Sequence, residues 1–381
     1  MKTVCVVTTN RADYGILTPL IKRINEDEEL ELWLVATGAH FSEKYGNTIY
    51  QIEEDGFPIK ARLPILETGN EPYDISVTVS NAIKTFAEFF RTNKPDLLVL
   101  LGDRTEMLGV AIAAMNENIV IAHLHGGEVT EGAVDDCVRH ALTKMSYLHF
   151  AGTEVYRKRI IQLGENPDRV YNVGTLSAEN ILSVPLMTED EVRKDIGIPD
   201  NQNYAVVTLH PETIDSLSPQ DISNILCESM RKFTDCYYVI TASNSDVGGD
   251  VINTNLRNFA AEHDNVQYIE SLGMKRYLSA VKYAMFVLGN SSSGIVEAPI
   301  IGTPTINIGN RQKGRLMAET IINVPFDEGK ILTAMQRAEQ IAHMPSNMYG
   351  EGDTSENMVL IIKKVLMENV DLKKGFHDLI D

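Results

Sequence analysis

Two groups of residues in this 381-residue chain have the types and spacing to do chemistry. The denser runs from residue 97 to residue 140 and contains Gly102-Asp103-Arg104, His123-Leu124-His125-Gly126-Gly127-Glu128 and Asp135-Asp136-Cys137-Val138-Arg139-His140. Carboxylates and imidazoles packed this closely can give and take protons, because neighbours tune each other's pKa values. Asp103, His125, Glu128 and Asp135, joined by His210 from the second half, supply candidate acids and bases. The other group is Asn290-Ser291-Ser292-Ser293-Gly294, followed by Ile295-Val296-Glu297. Hydroxyls, free backbone N–H groups and the start of a helix together make an anion site, typically for phosphate. Three serines and a glycine exceed what capping alone needs. Glu297, placed one turn inside that helix, could accept hydrogen bonds from a ribose diol, and Arg311 brings a guanidinium beside the site.

These residues sit where short apolar runs stop. Residues 97–101 and 119–124 read as parallel strands buried on both faces, with a helix over 107–115 between them, which makes a β-α-β unit. In open parallel sheets ligands lie outside the carboxyl ends of the strands, which is where Asp103, His125 and Glu128 fall. Asp135 and Asp136 open the next helix, where the dipole favours carboxylates. The chain begins with a strand at 4–7 and a loop carrying Arg11, an anion contact at a strand end that lacks the GxGxxG of dinucleotide sites. A strand over 32–37 ends at Gly38-Ala39-His40, making His40 a candidate ligand contact. A weak strand at 59–65 and a helix over 74–91 follow. In the second half, strands at 204–209, 237–241 and 284–288 end in His210, in Asn244 and its neighbours, and in Asn290. The expected organisation is a first Rossmann-like domain over 1–174, a second over 175–355, and C-terminal helices over 356–381 that pack back toward the first.

Composition narrows the class. A net charge of -19 argues against nucleic acid, whose phosphates are bound mainly through clustered Lys and Arg. Cys5, Cys137, Cys227 and Cys236 form no CxxC pair and read as small core residues in a reducing compartment. Neither a signal peptide nor a membrane-length apolar run is present in the sequence, so a soluble cytoplasmic protein is expected. His123 and His125, two apart on a strand, could face one way and bind a metal with Glu128. The simpler reading makes His125 a loop acid/base and His123 a packed neighbour, with no metal.

The combination Asn10-Arg11-Ala12-Asp13-Tyr14, Gly102-Asp103-Arg104, His123-Leu124-His125-Gly126-Gly127-Glu128, Asp135-Asp136, His210-Pro211, Asn290-Ser291-Ser292-Ser293-Gly294 and Gly309-Asn310-Arg311-Gln312 resembles the hydrolysing UDP-N-acetylglucosamine 2-epimerases of sialic-acid biosynthesis. The resemblance covers nearly the whole chain. It implies an α/β fold of two Rossmann-like domains facing across a cleft, a GT-B type architecture. It implies release of N-acetylmannosamine and UDP, no cofactor, and assembly as a homodimer or homotetramer. By the same resemblance, Ser291, Ser292 and Arg311 would hold the diphosphate in the loop that contains Gly294, Glu297 would hold the ribose, and Asn244 and His210 would line the site. Arg11 and Arg104 would complete the phosphate surroundings, with Asp103 and Asp135 as acid/base carboxylates. Several relatives carry Glu where this chain has His125, so the third such role is open between His125 and Glu128.

The chemistry points the same way. No carbonyl acidifies the C2 hydrogen of an acetamido sugar, and the chain has neither a dinucleotide loop nor a Lys-centred cofactor motif. Breaking C1–O first makes the C2 proton removable, so stabilising the departing diphosphate is itself catalysis. Two alternatives remain open from sequence. One is the same reaction on a UDP-linked 2,4-diacetamido-2,4,6-trideoxyglucose of legionaminic-acid biosynthesis; the other is a UDP-sugar sensor without turnover.

Overall fold

In the computed structural model the chain forms two compact units, Met1–Asn180 with Gly350–Asp381, and Ile181–Tyr349. The structure describes residues 1–43, 46–67, 69, 71–129, 134–200, 202–212, 217–243, 248–368 and 370–379. The first unit runs β1 (Lys2–Thr8), α1 (Arg11–Glu26), β2 (Leu30–Thr37), α2 (Ile49–Glu54), β3 (Ile59–Leu63), α3 (Pro72–Thr92), β4 (Leu97–Leu101), α4 (Glu106–Asn116), β5 (Val120–Leu124), α5 (Asp135–Met145), β6 (Leu148–Ala151), α6 (Glu154–Gln162), β7 (Val170–Asn172) and α7 (Leu176–Ser183). The second continues with α8 (Glu189–Ile196), β8 (Tyr204–Thr208), α9 (Pro219–Lys232), β9 (Tyr237–Thr241), α10 (Gly249–Glu262), β10 (Val266–Ile269), α11 (Gly273–Tyr283), β11 (Phe286–Gly289), α12 (Glu297–Ile301), β12 (Thr305–Ile308), β13 (Ile321–Val324) and α13 (Glu328–Ala338). Then α14 (Thr354–Met367) returns to the first unit.

Both sheets are parallel throughout. The first has the order β3-β2-β1-β4-β5-β6-β7 and the second β10-β9-β8-β11-β12-β13. Each order reverses once, between β1 and β4 and between β8 and β11, and that reversal opens a crevice at the carboxyl ends. Strand sequences such as Leu97–Leu101, buried at every position, are what a sheet covered by helices on both faces requires. Asn10 sets the entry to α1, its side-chain oxygen accepting the Asp13 N–H at 2.9 Å. Gly289 ends β11 with φ +135, and a Cβ there would stand 1.9 Å from the Thr208 carbonyl oxygen, so only glycine lets β11 and β8 close up at their switch point.

The boundaries differ from those the sequence suggests. The first unit extends through Asn180 because Leu176 joins its core, and the second ends at Tyr349. The backbone N–H and hydroxyl of Ser355 each donate to the Glu179 carboxylate at 2.6 Å, and the Thr354 hydroxyl donates to the Thr175 carbonyl. Helix α14 buries Met358, Val359, Ile362 and Val365 in the same core as Leu17, Leu20, Ile21 and Ile24 of α1. After Met367 the described chain is not helical: Lys374 donates to the Ser146 carbonyl and pairs with the buried Glu165. Cys5, Cys227 and Cys236 are buried as expected, but Cys137 is exposed, because it falls on the outer face of α5 while Val138, Arg139 and Leu142 face inward. Among the described residues no helix is long and apolar enough to cross a membrane.

Candidate active site

The crevice of the first sheet holds a cavity of about 790 Å³. Arg11 and Asp13 enter it from the first turn of α1, which follows β1, Asp103 and Arg104 from the turn after β4, Glu106 from the start of α4, and Asp135 from the first turn of α5. The two strand ends that flank the topological switch therefore supply most of its charge. Asp103 accepts a hydrogen bond from Arg139, whose side chain is 4% exposed. The same guanidinium donates to Asp136 at 2.5 Å and to the Glu128 carbonyl at 3.0 Å. One buried cation thus ties the β4 turn, the β5 loop and α5 together and sets where Asp103 stands. Arg104 donates to Glu106 at 3.2 Å; burial works against its charge, and Glu106, Asp13 and Asp103 override that and fix it as a cation. Burial pushes the Asp13 carboxyl up, against the hydroxyl of Thr9 and the charge of Arg104.

Four residues singled out from sequence meet in this cavity: Arg11, Asp103, Arg104 and Asp135. His125 and Glu128 lie outside its lining and bond to one another, Nδ1 to Oε1 at 2.9 Å. Burial opposes charge on His125, but the Glu128 carboxylate beside it wins and raises its pKa. His125 has φ +63, the left-handed region that a histidine seldom occupies, at a cost of about 1–3 kcal/mol. That residue lies just past the end of β5, so the strand alternation that would align His123 with His125 as a metal-binding pair does not extend to it. His123 is buried, with Nε2 2.7 Å from the Gly102 carbonyl and Nδ1 3.1 Å from the Thr143 hydroxyl. The carbonyl can only accept, so Nε2 carries the proton and both nitrogens are used internally; burial lowers the pKa to about 3. Among the described residues no cluster of His, Cys, Asp or Glu is placed to hold a metal ion.

His40 is corrected. It is fully buried, Nε2 3.0 Å from the Thr8 hydroxyl and Nδ1 2.9 Å from the Thr48 hydroxyl, and burial lowers its pKa to about 4. A neutral ring with no exposed atom holds the loop from below and does not touch a ligand.

In the second unit the crevice between β8 and β11 is built around Asn290, which is fully buried. Its side-chain oxygen accepts the His210 N–H at 2.7 Å and its amide donates to the His210 carbonyl at 2.9 Å. Its own carbonyl accepts from Gln312 at 2.9 Å and from the Arg311 guanidinium at 3.4 Å. The His210 ring lies 3.3 Å from the Ser243 hydroxyl. Ser291 caps the turn, its hydroxyl accepting the Ser293 N–H at 3.3 Å, and Ser292 is exposed. Gly294 is needed for packing, since a Cβ there would meet the Thr305 methyl at 2.8 Å. Glu297 is the first residue of α12, not one turn inside it, because a separate 3₁₀ turn over Ser292–Gly294 uses up the preceding residues. With five residues, α12 offers little helix dipole, so what the turn presents to an anion is serine hydroxyls and backbone N–H groups. Burial pushes the Glu297 carboxyl up. Asn244 lies outside the described residues.

Sequence reasoning missed Arg139, Asp13, Glu106 and, in the second unit, Glu212, which accepts the backbone N–H groups of Asn310 and Arg311, each at 3.1 Å. A signal for Arg139 was present: it occupies an inward position of the amphipathic α5 where the spacing calls for an apolar residue.

Residues 22–363 match the model of the UDP-N-acetylglucosamine 2-epimerase family. The chain is 37% identical over its full length, and over 98% of the relative, to a polysialic acid biosynthesis protein of Escherichia coli. It is also 37% identical, over 85% of each chain, to a hydrolysing GDP/UDP-N,N'-diacetylbacillosamine 2-epimerase of Campylobacter jejuni. Among solved structures, UDP-GlcNAc 2-epimerase of Methanocaldococcus jannaschii superposes with a TM-score of 0.77 at 19% identity, covering 96% of this chain and all of that one. That likeness establishes the fold, two Rossmann-like units of GT-B type. A family match across most of the chain, with full-length identity at this level, makes the protein a member of the UDP-N-acetylglucosamine 2-epimerase family.

Proposed function

We propose that the protein is a hydrolysing UDP-sugar 2-epimerase. On UDP-N-acetylglucosamine, the simplest substrate of the class, it would release N-acetylmannosamine and UDP and so begin sialic-acid biosynthesis. The observation that carries this reading is the cavity at the first switch point, where Asp103 and Asp135 stand beside Arg11 and Arg104. Two carboxylates can serve opposite faces of one carbon, and the guanidiniums can stabilise the anion that leaves its neighbour.

The reaction takes two steps. One carboxylate removes the C2 proton while the C1–O bond breaks, its electron pair leaving with UDP, and a 2-acetamidoglucal remains. Water then adds its oxygen to C1 and gives up one proton to the surrounding water, as the other carboxylic acid delivers a proton to the opposite face of C2. The second unit's Ser291, Ser292 and Arg311 would hold the diphosphate and Glu297 the ribose, with His210 as a further acid/base candidate. Asp103 suits the base because Arg139 fixes its position without blocking the cavity.

Isotopes test this directly. In heavy water the released manno sugar should carry one deuterium at C2, and water labelled with oxygen-18 should mark C1 and leave UDP unlabelled. A sugar that keeps its original C2 hydrogen, or label in the UDP phosphate, would sink the mechanism.

A further inference from the structure

Of the three serines in the anion turn of the second unit, Ser292 is exposed and Ser291 partly so, whereas the third is engaged inside the protein. The Ser293 hydroxyl lies 2.7 Å from the phenol oxygen of Tyr277 on α11. It also hydrogen bonds the Glu297 carboxylate at the start of α12. A serine hydroxyl has one proton and a carboxylate only accepts, so that proton goes to Glu297 and the Tyr277 O–H donates to the Ser293 oxygen. Behind Tyr277 the line continues. Its oxygen accepts from Thr208 at the end of β8, whose hydroxyl lies 2.6 Å from that of Thr241 at the end of β9. Four hydroxyls from four segments thus run to one carboxylate.

Glu297 depends on this line because no cation grips it. Burial disfavours its charge, and Arg315 attracts it only from beyond ion-pair distance. The charged groups of α11 are engaged elsewhere: Lys275 lies beside Glu191, Arg276 pairs with Asp195 at 2.6 Å, and Lys282 lies over the Tyr283 ring. Hydrogen bonds to an ionised group are about twice as strong as neutral ones, and a row of hydroxyls polarises toward the charge at its end. The same bonds fix the direction in which the carboxylate points. Its distance from the turn is set by Ser293, and Ser293 is set by Tyr277.

We propose that Tyr277 and Ser293 are positioning residues of the nucleotide site, which hold the Glu297 carboxylate in the orientation that accepts from both ribose hydroxyls. The inference rests on the ribose role given to Glu297 above. Neither residue touches the nucleotide. Both act through the carboxylate, so their effect is confined to what the ribose hydroxyls contribute to binding.

The test measures, by calorimetry on the full-length chain, affinity for UDP and for 2′,3′-dideoxy-UDP, which lacks both hydroxyls. The unsubstituted chain should prefer UDP by about tenfold or more, the value of a charged hydrogen bond. Tyr277→Phe keeps the ring and removes the donor. It should cut that preference roughly three- to tenfold, while affinity for the dideoxy nucleotide stays within about twofold. Ser293→Ala should act alike, and the double variant should lose no more than the worse single one, as links of one line do. Equal losses on both nucleotides, no loss on either, or additive losses in the double variant would overturn the positioning role and leave Glu297 at the ribose. An unsubstituted chain that binds the two nucleotides alike would overturn the ribose assignment and this inference with it.

Discussion

The two units share a scaffold and differ in the groups they bury. Both are parallel sheets with one reversal of strand order, and both place polar residues at that reversal. Yet every buried His, Glu and Arg among the described residues belongs to the first unit: His40, Glu106, His123, Arg139, His149 and Glu165. The buried polar residues of the second are Ser, Thr, Asn and Gln, with Asn290, Gln312 and Ser243 at its crevice. Ionisable groups in low dielectric shift one another's pKa values, which is what moving protons requires. Neutral amides and hydroxyls hold an anion without changing its protonation. On the proposed function, the first edge carries the reaction and the second the binding of the nucleotide.

The largest effect that could break this division is on turnover. Asp103→Asn should lower kcat by about 10²–10⁴, the usual range for a lost acid or base, while UDP affinity measured by calorimetry stays within about twofold. A variant that lost UDP affinity and kept its turnover would reverse the roles of the two units.

Next in size is acid sensitivity. Glu165 is fully buried, and although burial opposes its charge, His149, Lys144 and Lys374 hold its carboxyl down at about 2, from 4.5 ordinarily. A carboxylate depressed in the folded state contributes stability that is complete above about 4.5 and lost as pH falls toward 2. Hydrogen exchange followed from pH 5 to pH 3 should show the first unit losing protection before the second. Glu165→Gln should cost about 3 kcal/mol at neutral pH by leaving the buried His149 and the mostly buried Lys374 without their carboxylate. Second-unit amides opening first in acid would remove the contrast. Arg311→Ala should then weaken UDP binding by roughly 10- to 100-fold, the loss of a charged hydrogen bond to phosphate, with kcat at saturation changed far less.

Central strands were easier to read than edge strands, and the reason is periodicity. Fully buried strands such as β4 and β8 give short, largely apolar runs that stop at the polar residues they present, so Asp103 and His210 could be located from sequence. Strands β10 and β13 went unassigned because they sit at or next to a sheet edge and are only partly buried, which mixes polar residues into four-residue segments. His40 and His125 stand at strand ends that look alike in one dimension. One is sealed under Thr8 and Thr48 and the other turned out by a left-handed backbone, and both outcomes depend on partners far along the chain or on a single dihedral. Arg139 was visible in the motif, but its bonds reach back 36 residues to Asp103, a closure that helical spacing alone does not reveal.

The smallest effect concerns the carboxylate that the binding edge does contain. Glu297 opens α12, and burial raises its pKa above that of an ordinary glutamate. On the proposed assignment its ionised form accepts hydrogen bonds from both ribose hydroxyls, and protonation converts one of its oxygens into a donor. UDP affinity should therefore fall as the pH is lowered from 7.5 to 5, starting at a higher pH than an unperturbed glutamate would allow. Glu297→Gln should bind UDP about tenfold more weakly at pH 7.5, the loss of one charge-assisted hydrogen bond, and turnover at saturation should change by no more than about twofold. UDP phosphate titrates over the same interval, so the informative quantity is the ratio of wild-type to variant affinity at each pH, in which the ligand's own protonation cancels. That ratio should shrink toward one as the solution becomes acidic. A ratio independent of pH would mean that Glu297 does not meet the ribose as a carboxylate, and the second unit would then bind its nucleotide through neutral donors and Arg311 alone.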